Sequence, residues 1–459
     1  MSAFIGAFAR PAVRCEAAQA KTTGNACSML DRIGMNQGRL SIVGVTSGAL
    51  IAASLTVLTP EVTVAKPRAQ VSSQTQRVQG GARHARHTSA DARARMTGTD
   101  ARLQFSEGDQ DGAGVPGIPD ARFWADSVQS FIDAVPREPG EWLVLSEGGE
   151  DGAFGAGVLA GWTKTGARPP FSVVTGVSTG ALMAPFAFLG SAYDDRLREL
   201  YLTVTAADIF EAAATNRSLL DTWPLAASIE RNVDAKLLAE IAAEHRRGRR
   251  LLVVTTNLDA GRPVAWNMGA IAEHGSAALP LFRQVLLASA SIPGVFPPVM
   301  LNVEANGRRF HEMHVDGGTT GPFYVAPQKL LLGAVSDRLP AGQIHIIINS
   351  KLTPEFQRTE VSTLKILGRS ISVALQSALR AQLAAVLAKA RHDGIGIVVA
   401  SVDQGFSHDS RGAFDPEYMK ALFELGFQQG NKTALRGEPV SSLVQERGQD
   451  FSPQEGPKP

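Results

Sequence analysis

The chain has 459 residues, with 45 basic and 44 acidic side chains and a formal net charge of +1. This near-balance gives no reason to expect a nucleic acid partner. The length exceeds what one compact core needs, so we expect one large catalytic-size domain with additional N-terminal material. The two cysteines, Cys15 and Cys27, lie upstream of an apolar run, so disulfides, zinc–cysteine sites and cysteine catalysis are not expected in the main domain.

An uncharged apolar run occupies residues 40–58 and follows Arg39. Its length is borderline for a membrane-spanning helix and also fits the apolar region of a secretory signal. We therefore separate an N-terminal segment at 1–39, either cytoplasmic or, with a start at Met35, largely untranslated, from a signal-peptide h-region or single membrane-spanning helix at 40–60. Both interpretations predict a membrane-anchored or exported protein of the periplasm or cell envelope rather than a cytoplasmic one. A buried helix is the weaker alternative.

Residues 61–118 are rich in Gln, Ser, Thr, Ala, Gly and Arg and poor in branched and aromatic side chains. Such a composition cannot bury enough apolar surface to offset the chain entropy of folding. We predict a disordered linker here, and a second disordered segment in the tail at 437–459. His84 and His87 are too isolated to indicate a metal site, and we predict neither a metal nor a cofactor.

The folded domain is predicted at 119–436, where strand and helix patterns alternate. Its first element is predicted as a helix capped by Asp120. Short apolar runs then predict strands, longer amphipathic runs predict helices, and the last helix is expected to have Pro416 in its first turn and Gly430 beyond its end. The predicted strands are 141–146, 171–175, two within 249–268, one ending in the motif at 314–318, 343–350 and 394–401. The predicted helices begin at 179 and 279, span 361–391, and begin again near 415. This alternation is typical of an α/β fold with a mostly parallel central sheet.

The peptide Gly176-Val177-Ser178-Thr179-Gly180 joins a predicted strand to a predicted helix. A sharp turn of this kind lifts a serine out of the sheet edge, and flanking glycines let the backbone crowd there without a steric clash. The helix that follows also points its amide dipoles at the serine. Ser178 is therefore a candidate nucleophile, and a packing serine in a glycine turn is the alternative.

A second glycine-rich stretch, SEGGEDGAFGAG at 146–157, follows another strand. Consecutive glycines allow backbone N–H groups to converge on one point, which suits a phosphate or the oxyanion of a tetrahedral intermediate. The dinucleotide pattern fails because Glu147 stands where a glycine is required, and no Walker-type lysine is present. One strand–helix–strand crossover separates this loop from Ser178, so both should lie at the carboxyl ends of neighbouring parallel strands.

The third stretch is HVDGG at 314–318, in which Asp316 ends a short strand. A carboxylate held there can accept the serine proton directly, whereas an Asp-Gly turn without chemistry is the alternative. Together, the three stretches favour the catalytic interpretation.

The three stretches, in this order, resemble the patatin-like phospholipase family, and the segment ASASIPGVFPPV at 288–299 resembles the one that precedes the family's aspartate. The resemblance covers about residues 141–324, and we expect it to extend to about residue 430. It implies a three-layer α/β/α patatin-like fold and hydrolysis of an acyl ester of a lipid through an acyl-enzyme, without a cofactor. A membrane surface is the expected partner beside the lipid substrate. It implies Ser178 as nucleophile and Asp316 as general base in a dyad without histidine. It further implies an oxyanion hole formed by the amides of three residues and a set of motif glycines; the oxyanion residues are Gly148, Gly149 and Glu150, and the glycines are Gly152, Gly176, Gly180, Gly317 and Gly318.

Two positions depart from the family pattern. Glu147 replaces a usual glycine, and Asp151 stands where Arg or Lys is common. Carboxylates near an oxyanion hole oppose the developing negative charge unless they point away. A catalytically weak lipid-binding protein with the same fold is therefore one alternative function.

A Ser–His–Asp esterase is the other alternative, because Ser178, Asp316 and then His392 or His408 follow the α/β-hydrolase chain order. Neither histidine has a local signature, and surface positions are expected for both. A run of arginines at 246–250 is predicted to be a solvated face, with contact to anionic lipid as a second interpretation.

Overall fold

The computed structural model describes residues 102–213, 218–408 and 410–432. The predicted segments at 1–39 and 40–60, residues 61–101 of the predicted linker, and the tail at 437–459 lie outside the described residues.

A nine-stranded sheet forms the centre of the described part of the chain, and a separate two-stranded ribbon (β4 and β5) lies apart from it. In chain order the strands are β1 (Arg122–Trp124), β2 (Glu141–Leu145), β3 (Val173–Val177), β4 (Glu211–Ala212), β5 (Leu220–Asp221), β6 (Arg250–Asn257), β7 (Arg262–Asn267), β8 (Val299–Ala305), β9 (Arg308–Asp316), β10 (Gln343–Lys351) and β11 (Gly396–Val402). Burial explains why apolar runs form the central strands, since the side chains of β2 and β3 are buried almost throughout.

Five consecutive strands run parallel, in the order β6-β3-β2-β10-β11, with β11 at one edge of the sheet. The sheet continues antiparallel beyond β6, which pairs with β7 and, near its carboxyl end, with β9. β1 pairs with β7, and β8 pairs with β9. The prediction of a mostly parallel central sheet is confirmed.

Thirteen α-helices of the described residues connect or cover these strands. They are α1 (Glu107–Asp111), α2 (Val128–Ala134), α3 (Gly152–Lys164), α4 (Thr179–Leu189), α5 (Asp194–Leu202), α6 (Ala206–Ile209), α7 (Trp223–Asn232), α8 (Ala235–Arg246), α9 (Met268–Ala272), α10 (Leu279–Ser289), α11 (Gln328–Leu331), α12 (Thr363–Asp393) and α13 (Pro416–Asn431). Side-chain caps mark several starts, including Ser362 before α12 and Asp415 before α13.

Helices cover both faces of the sheet, and two apolar clusters mark the two interfaces. One cluster joins α3, α4, α8, α10 and α13 to one face of the sheet; its members include Leu159, Phe188, Ile241, Leu286 and Phe423. The other joins α2, α11 and α12 to the opposite face; its members include Phe131, Leu330, Leu379, Leu383 and Val386. The fold is therefore the predicted three-layer α/β/α arrangement.

The last helix differs from its prediction, because Gly430 lies inside α13 and not beyond its end. A Cβ on Gly430 would lie 2.1 Å from the carbonyl oxygen of Val158 in α3, and one on Gly157 would lie 2.1 Å from that of Phe423. These glycines allow the backbones of α3 and α13 to touch, so Gly430 has a packing role instead of a capping role.

The start of the domain also differs from its prediction. The expected single helix capped by Asp120 is instead a strand, β1, followed by α2, which Ser127 caps. Arg122 and Trp124 are in register with β7, so pairing at the sheet edge overrides the helical pattern. Residues 102–118, predicted as part of the linker, include α1, where Gln110 is buried and donates to Asn257.

Candidate active site

Ser178 occupies a strained turn between β3 and α4. Its φ of 55° and ψ of −124° lie outside the helical and extended regions that a serine ordinarily adopts. A Cβ on Gly176 would lie 2.4 Å from the carbonyl oxygen of Gly180, and one on Gly180 would lie 2.4 Å from that of Leu145. The flanking glycines are thus required by close backbone approach.

A buried serine on a distant helix holds this turn in place. The Ser178 N–H donates to Oγ of Ser289 at 3.1 Å, and that hydroxyl donates to the carbonyl oxygen of Val254 at 2.7 Å. Ser289 lies at the end of α10 and is fully buried. The contact satisfies an amide that the strained turn leaves without a helical or sheet partner.

Asp316 lies next to Ser178 because β6 aligns them. β6 pairs through Val254 with Val177 and through Thr255 with Asp316. Oδ1 of Asp316 accepts from the Gly318 N–H at 2.8 Å. Burial raises the pKa of Asp316 to about 7, although hydrogen bonds from the Ser178 side chain and the Gly318 amide lower it in part.

The glycine-rich loop lies at the same edge, between β2 and α3. A Cβ on Gly148 would lie 2.4 Å from the carbonyl oxygen of Asn349, so that position tolerates no side chain. A single 3₁₀ turn at Gly149–Asp151 follows and continues into α3. The first amides of such a turn lack intrahelical partners, so those of Gly149 and Glu150 can serve an anion, together with that of Gly148.

Sequence reasoning missed Asn349, which holds this loop. Its backbone N–H donates to Oγ of Ser146 at 2.8 Å, its side-chain amide donates to the Ser146 carbonyl at 2.9 Å, and its Oδ1 accepts from the Gly155 N–H at 3.1 Å. The side chain is fully buried at the carboxyl end of β10. A polar residue ending the apolar run IHIIINS was the available signal.

The two unusual carboxyl groups point in different directions. Glu147 lies beside Asp316, against Gly318, where a Cβ would lie 1.9 Å from its Oε2. Burial and the nearby charge of Asp316 raise the pKa of Glu147 to about 8. Asp151 instead accepts from the Tyr418 hydroxyl at 2.8 Å, and burial raises its pKa to about 7.

Glu150 also turns away from the loop, since its carboxylate accepts from the Phe414 N–H. The carboxyl groups of Glu150 and Asp151 therefore point away from the glycine loop. The carboxyl group of Glu147, with a pKa of about 8, is mostly protonated at pH 7. The glycine loop stays available to an anion.

The two candidate triad histidines lie in different surroundings from Ser178. His392 is exposed and contacts Asp393 at 2.9 Å, and Asp393 accepts from Leu339 ahead of the amino end of β10. His408 packs against Phe406 and Tyr418. Neither position brings a histidine between the serine and the aspartate.

His314, two residues before Asp316, belongs to a buried network. Its Nδ1 lies 2.9 Å from the Thr255 hydroxyl and its Nε2 lies 3.1 Å from Glu312, which pairs with Arg122. Burial lowers the pKa of His314. Among the described residues no cluster of His, Cys, Asp or Glu is suited to a metal ion.

An apolar cavity of about 220 Å³ opens beside Ser178. Gly149, Glu150 and Ser178 line one part of it. Apolar side chains of the surrounding helices and of the segment after α10 line most of the rest, and they include Leu182, Phe186, Leu225, Ile229, Leu286 and Phe296. A larger cavity of about 440 Å³ elsewhere does not include Ser178 or Asp316.

The site combines a strained serine, between a parallel strand and a helix, with a glycine loop at the same sheet edge. These features define the class of α/β domains with a nucleophile turn. Residues 143–327 match the family model of the patatin-like phospholipases, and this part of the chain is a patatin-like phospholipase domain. The resemblance predicted from the sequence is confirmed. At the family level such domains act on esters of lipids.

Among solved structures, a similar one is the crystal structure of VipD from Legionella pneumophila, with a TM-score of 0.34 and 12% sequence identity. The alignment covers 65% of this chain and 66% of VipD, so this chain spans just under two thirds of that protein. Comparison with curated proteins gives no match.

Proposed function

We propose that this protein is a serine acyl hydrolase that cleaves acyl esters of lipids through a Ser178–Asp316 dyad. The family assignment supports lipid ester hydrolysis in general. The observation that carries the finer proposal is the strained Ser178 turn, which the register of β6 with β3 and β9 brings to the buried carboxyl group of Asp316.

In the acylation step, Oγ of Ser178 attacks the ester carbonyl carbon while its proton passes to the Asp316 carboxylate. The carbonyl oxygen becomes an oxyanion, which the amides of Gly148, Gly149 and Glu150 stabilise. The tetrahedral intermediate then collapses, the bond to the alcohol breaks, and the alcohol oxygen takes the proton from Asp316. An acyl-enzyme ester on Ser178 remains.

In the deacylation step, Asp316 accepts a proton from water, whose oxygen attacks the acyl carbonyl. The second oxyanion collapses, the proton returns to Oγ of Ser178, and a fatty acid leaves. A pKa of about 7 suits this cycle because Asp316 can both take and release a proton near neutral pH.

The cavity supports a lipid substrate. Its lining is mostly apolar, and it includes Ser178 and Gly149. An acyl chain in this cavity would bring its ester carbon to the hydroxyl and its carbonyl oxygen to the glycine amides. Residues 40–58 would deliver the domain to a membrane, and mass spectrometry of the mature N-terminus would identify whether they are retained.

The test combines fluorophosphonate labelling with hydrolysis of a panel of phospholipid, glyceride and soluble esters. Wild type should label stoichiometrically and release fatty acid, whereas Ser178→Ala should do neither and Asp316→Asn should lose at least about a thousandfold in kcat. His392→Gln and His408→Gln should retain activity, which separates a dyad from a triad. Folded wild type that neither labels nor hydrolyses any ester would instead favour the lipid-binding alternative, to which Glu147 beside Asp316 lends support.

A further inference from the structure

The helix α12 is longer than the sheet it crosses. It contains 31 residues, about 46 Å at 1.5 Å per residue, whereas β10 before it contains nine residues, about 30 Å. Gly394 ends the helix in a left-handed conformation and leads into β11. Because this end is tied to the amino edge of the sheet, the surplus length lies beyond the carboxyl edge, where Ser178 lies.

Contacts along α12 agree with this placement. Leu379, Leu383 and Val386 are buried in the second half of the helix, and Gln382 donates to the carbonyl oxygen of Phe323, a few residues after Asp316. Among the described side chains of the first half, most are exposed and the others, including Arg369, are half-buried. The first half therefore projects from the carboxyl edge of the sheet, and Arg369 ties it to the preceding loop by donating to the Glu355 carbonyl oxygen at 2.7 Å.

The projecting part carries an unusual number of exposed apolar side chains. Ile366, Leu367, Ile371 and Val373 are each about half exposed, and Phe356 in the preceding loop is 99% exposed. Exposed apolar residues on this scale, grouped in one segment, mark an interaction surface. We call residues 356–373 the docking segment.

The charge of the docking segment identifies the kind of partner. Lys365 and Arg369 interrupt the apolar residues of the helix, and Arg358 lies in the loop before it. The helix contains no acidic residue before Asp393, and the acidic residue within the segment is Glu360. A basic and apolar helix complements an anionic lipid surface.

We propose that the docking segment binds an anionic membrane surface, with its apolar side chains in the headgroup region and its basic side chains on lipid phosphates or carboxylates. This orientation presents the carboxyl edge of the sheet, where Ser178 lies, to the bilayer. The inference rests on the proposed function only in taking a lipid as the substrate.

Two alternatives to binding at a membrane surface fit the observations less well: a helix that spans the membrane, and association with a second copy of the chain. The stretch Lys365–Asp393 is apolar and long enough to cross a membrane. Its second half, however, packs in the core and ends in a buried pair between Lys389 and Asp393. Association with a second copy through the same face would bring the like charges of Lys365 and Arg369 together, with Glu360 as the one acidic side chain of each docking segment.

The experiment uses the full chain with Ser178→Ala, so that binding is measured without hydrolysis. Vesicles of phosphatidylcholine alone are compared with vesicles containing one quarter phosphatidylserine, by co-sedimentation and by hydrogen exchange. We expect tighter binding to the anionic vesicles, and slower exchange of the amides at 363–374 when these vesicles are present. Measurement of local exchange keeps the test valid even if residues 40–58 bind the vesicles themselves.

Two double variants, made in the Ser178→Ala protein, separate the contributions of apolar and basic side chains to vesicle binding. Ile366→Ser with Leu367→Ser should weaken anionic vesicle binding by at least tenfold and abolish the local protection. Lys365→Gln with Arg369→Gln should weaken it by about fivefold per charge and reduce its salt dependence. The matched control Leu332→Ser, at an exposed leucine outside the docking segment, should bind as the parent does.

The proposal is overturned if the amides at 363–374 gain no protection on vesicles, or if the serine variants bind and exchange as the parent does. It is also overturned if light scattering shows a dimer that the same variants dissociate. Failure of lipid hydrolysis by the wild-type protein would count against the proposed function and would leave these binding measurements unaffected.

Discussion

The Ser178 amide donates to the Ser289 hydroxyl at 3.1 Å, so the nucleophile turn depends on a residue 111 positions away in the chain. The same hydroxyl donates to Val254, in the strand that aligns Asp316 with Ser178. One buried hydroxyl thereby links the Ser178 turn to β6, the strand that pairs with Asp316 of β9.

Replacement of Ser289 by alanine should therefore lower kcat by about tenfold with little change in KM. The Ser178 amide would lose its partner, at a cost of about 1–3 kcal/mol in the free energy of unfolding. Ser291→Ala is the matched control, because its hydroxyl donates to the Leu287 carbonyl and has no bond to the Ser178 amide. Equal losses of kcat in the two variants would contradict the positioning role of Ser289.

Local patterns explain why the principal site could be predicted from the sequence. Gly176, Ser178 and Gly180 form a continuous motif, and their positions follow from the strand and helix around them. Asp316 was associated with Ser178 through the order of the three stretches and the family resemblance, because it ends an antiparallel strand whose register with β6 the sequence does not show. Ser289 could not, since a serine near a helix end is ordinary and its role arises only from a contact across the fold.

The directions of Glu147 and Asp151 were beyond sequence reasoning for a related reason. Between them the backbone passes through Gly148 and Gly149, both with positive φ, which reverses the chain within a few residues. One carboxyl group therefore faces Asp316 and the other faces Tyr418. The exposure of the first half of α12 also could not be predicted from the sequence, because the spacing of its apolar residues resembles that of a buried helix.

Asn349 provides a second test of support behind the glycine loop. Asn349→Ala would remove the bonds to the Ser146 carbonyl and the Gly155 amide, and the loop amides would no longer be held in one orientation. We expect kcat to fall by about tenfold to a hundredfold, with KM within about twofold, because the loop acts on the transition state. Ser350→Ala, at the next position of β10, should retain kcat; a similar loss there would indicate general damage to the strand.

The pH dependence of kcat/KM should reveal two carboxyl groups. Asp316 must be ionised to accept the Ser178 proton, so activity should rise as the pH increases through about 7. Glu147 is neutral until about pH 8; its ionisation would then place a second negative charge near the oxyanion and lower activity. Because the two groups interact, the measured values belong to the pair.

Glu147→Gln should remove the alkaline decline and keep the rise near pH 7, since glutamine preserves the size of the side chain but cannot ionise. The control is Asp151→Asn, whose carboxyl group faces Tyr418 and should leave the decline in place. Profiles are best measured with a soluble ester, which avoids pH effects on vesicles. An unchanged alkaline limb in Glu147→Gln would show that another group causes the decline.

The volume of the cavity should set the preferred acyl length. Ile229 lines it from α7, so Ile229→Phe should fill space that a long chain needs, and Ile229→Ala should enlarge it. The measured quantity is the ratio of kcat/KM for a dodecanoyl ester to that for a butanoyl ester. We expect Phe to lower this ratio by about tenfold and Ala to raise it by about fourfold per methylene accommodated.

Ile241→Ala removes the same atoms from a buried position of the same core cluster that does not line the cavity, so it reports the effect of a destabilised core alone. If Ile241→Ala changes the ratio as much as the Ile229 variants do, the cavity is not the acyl site.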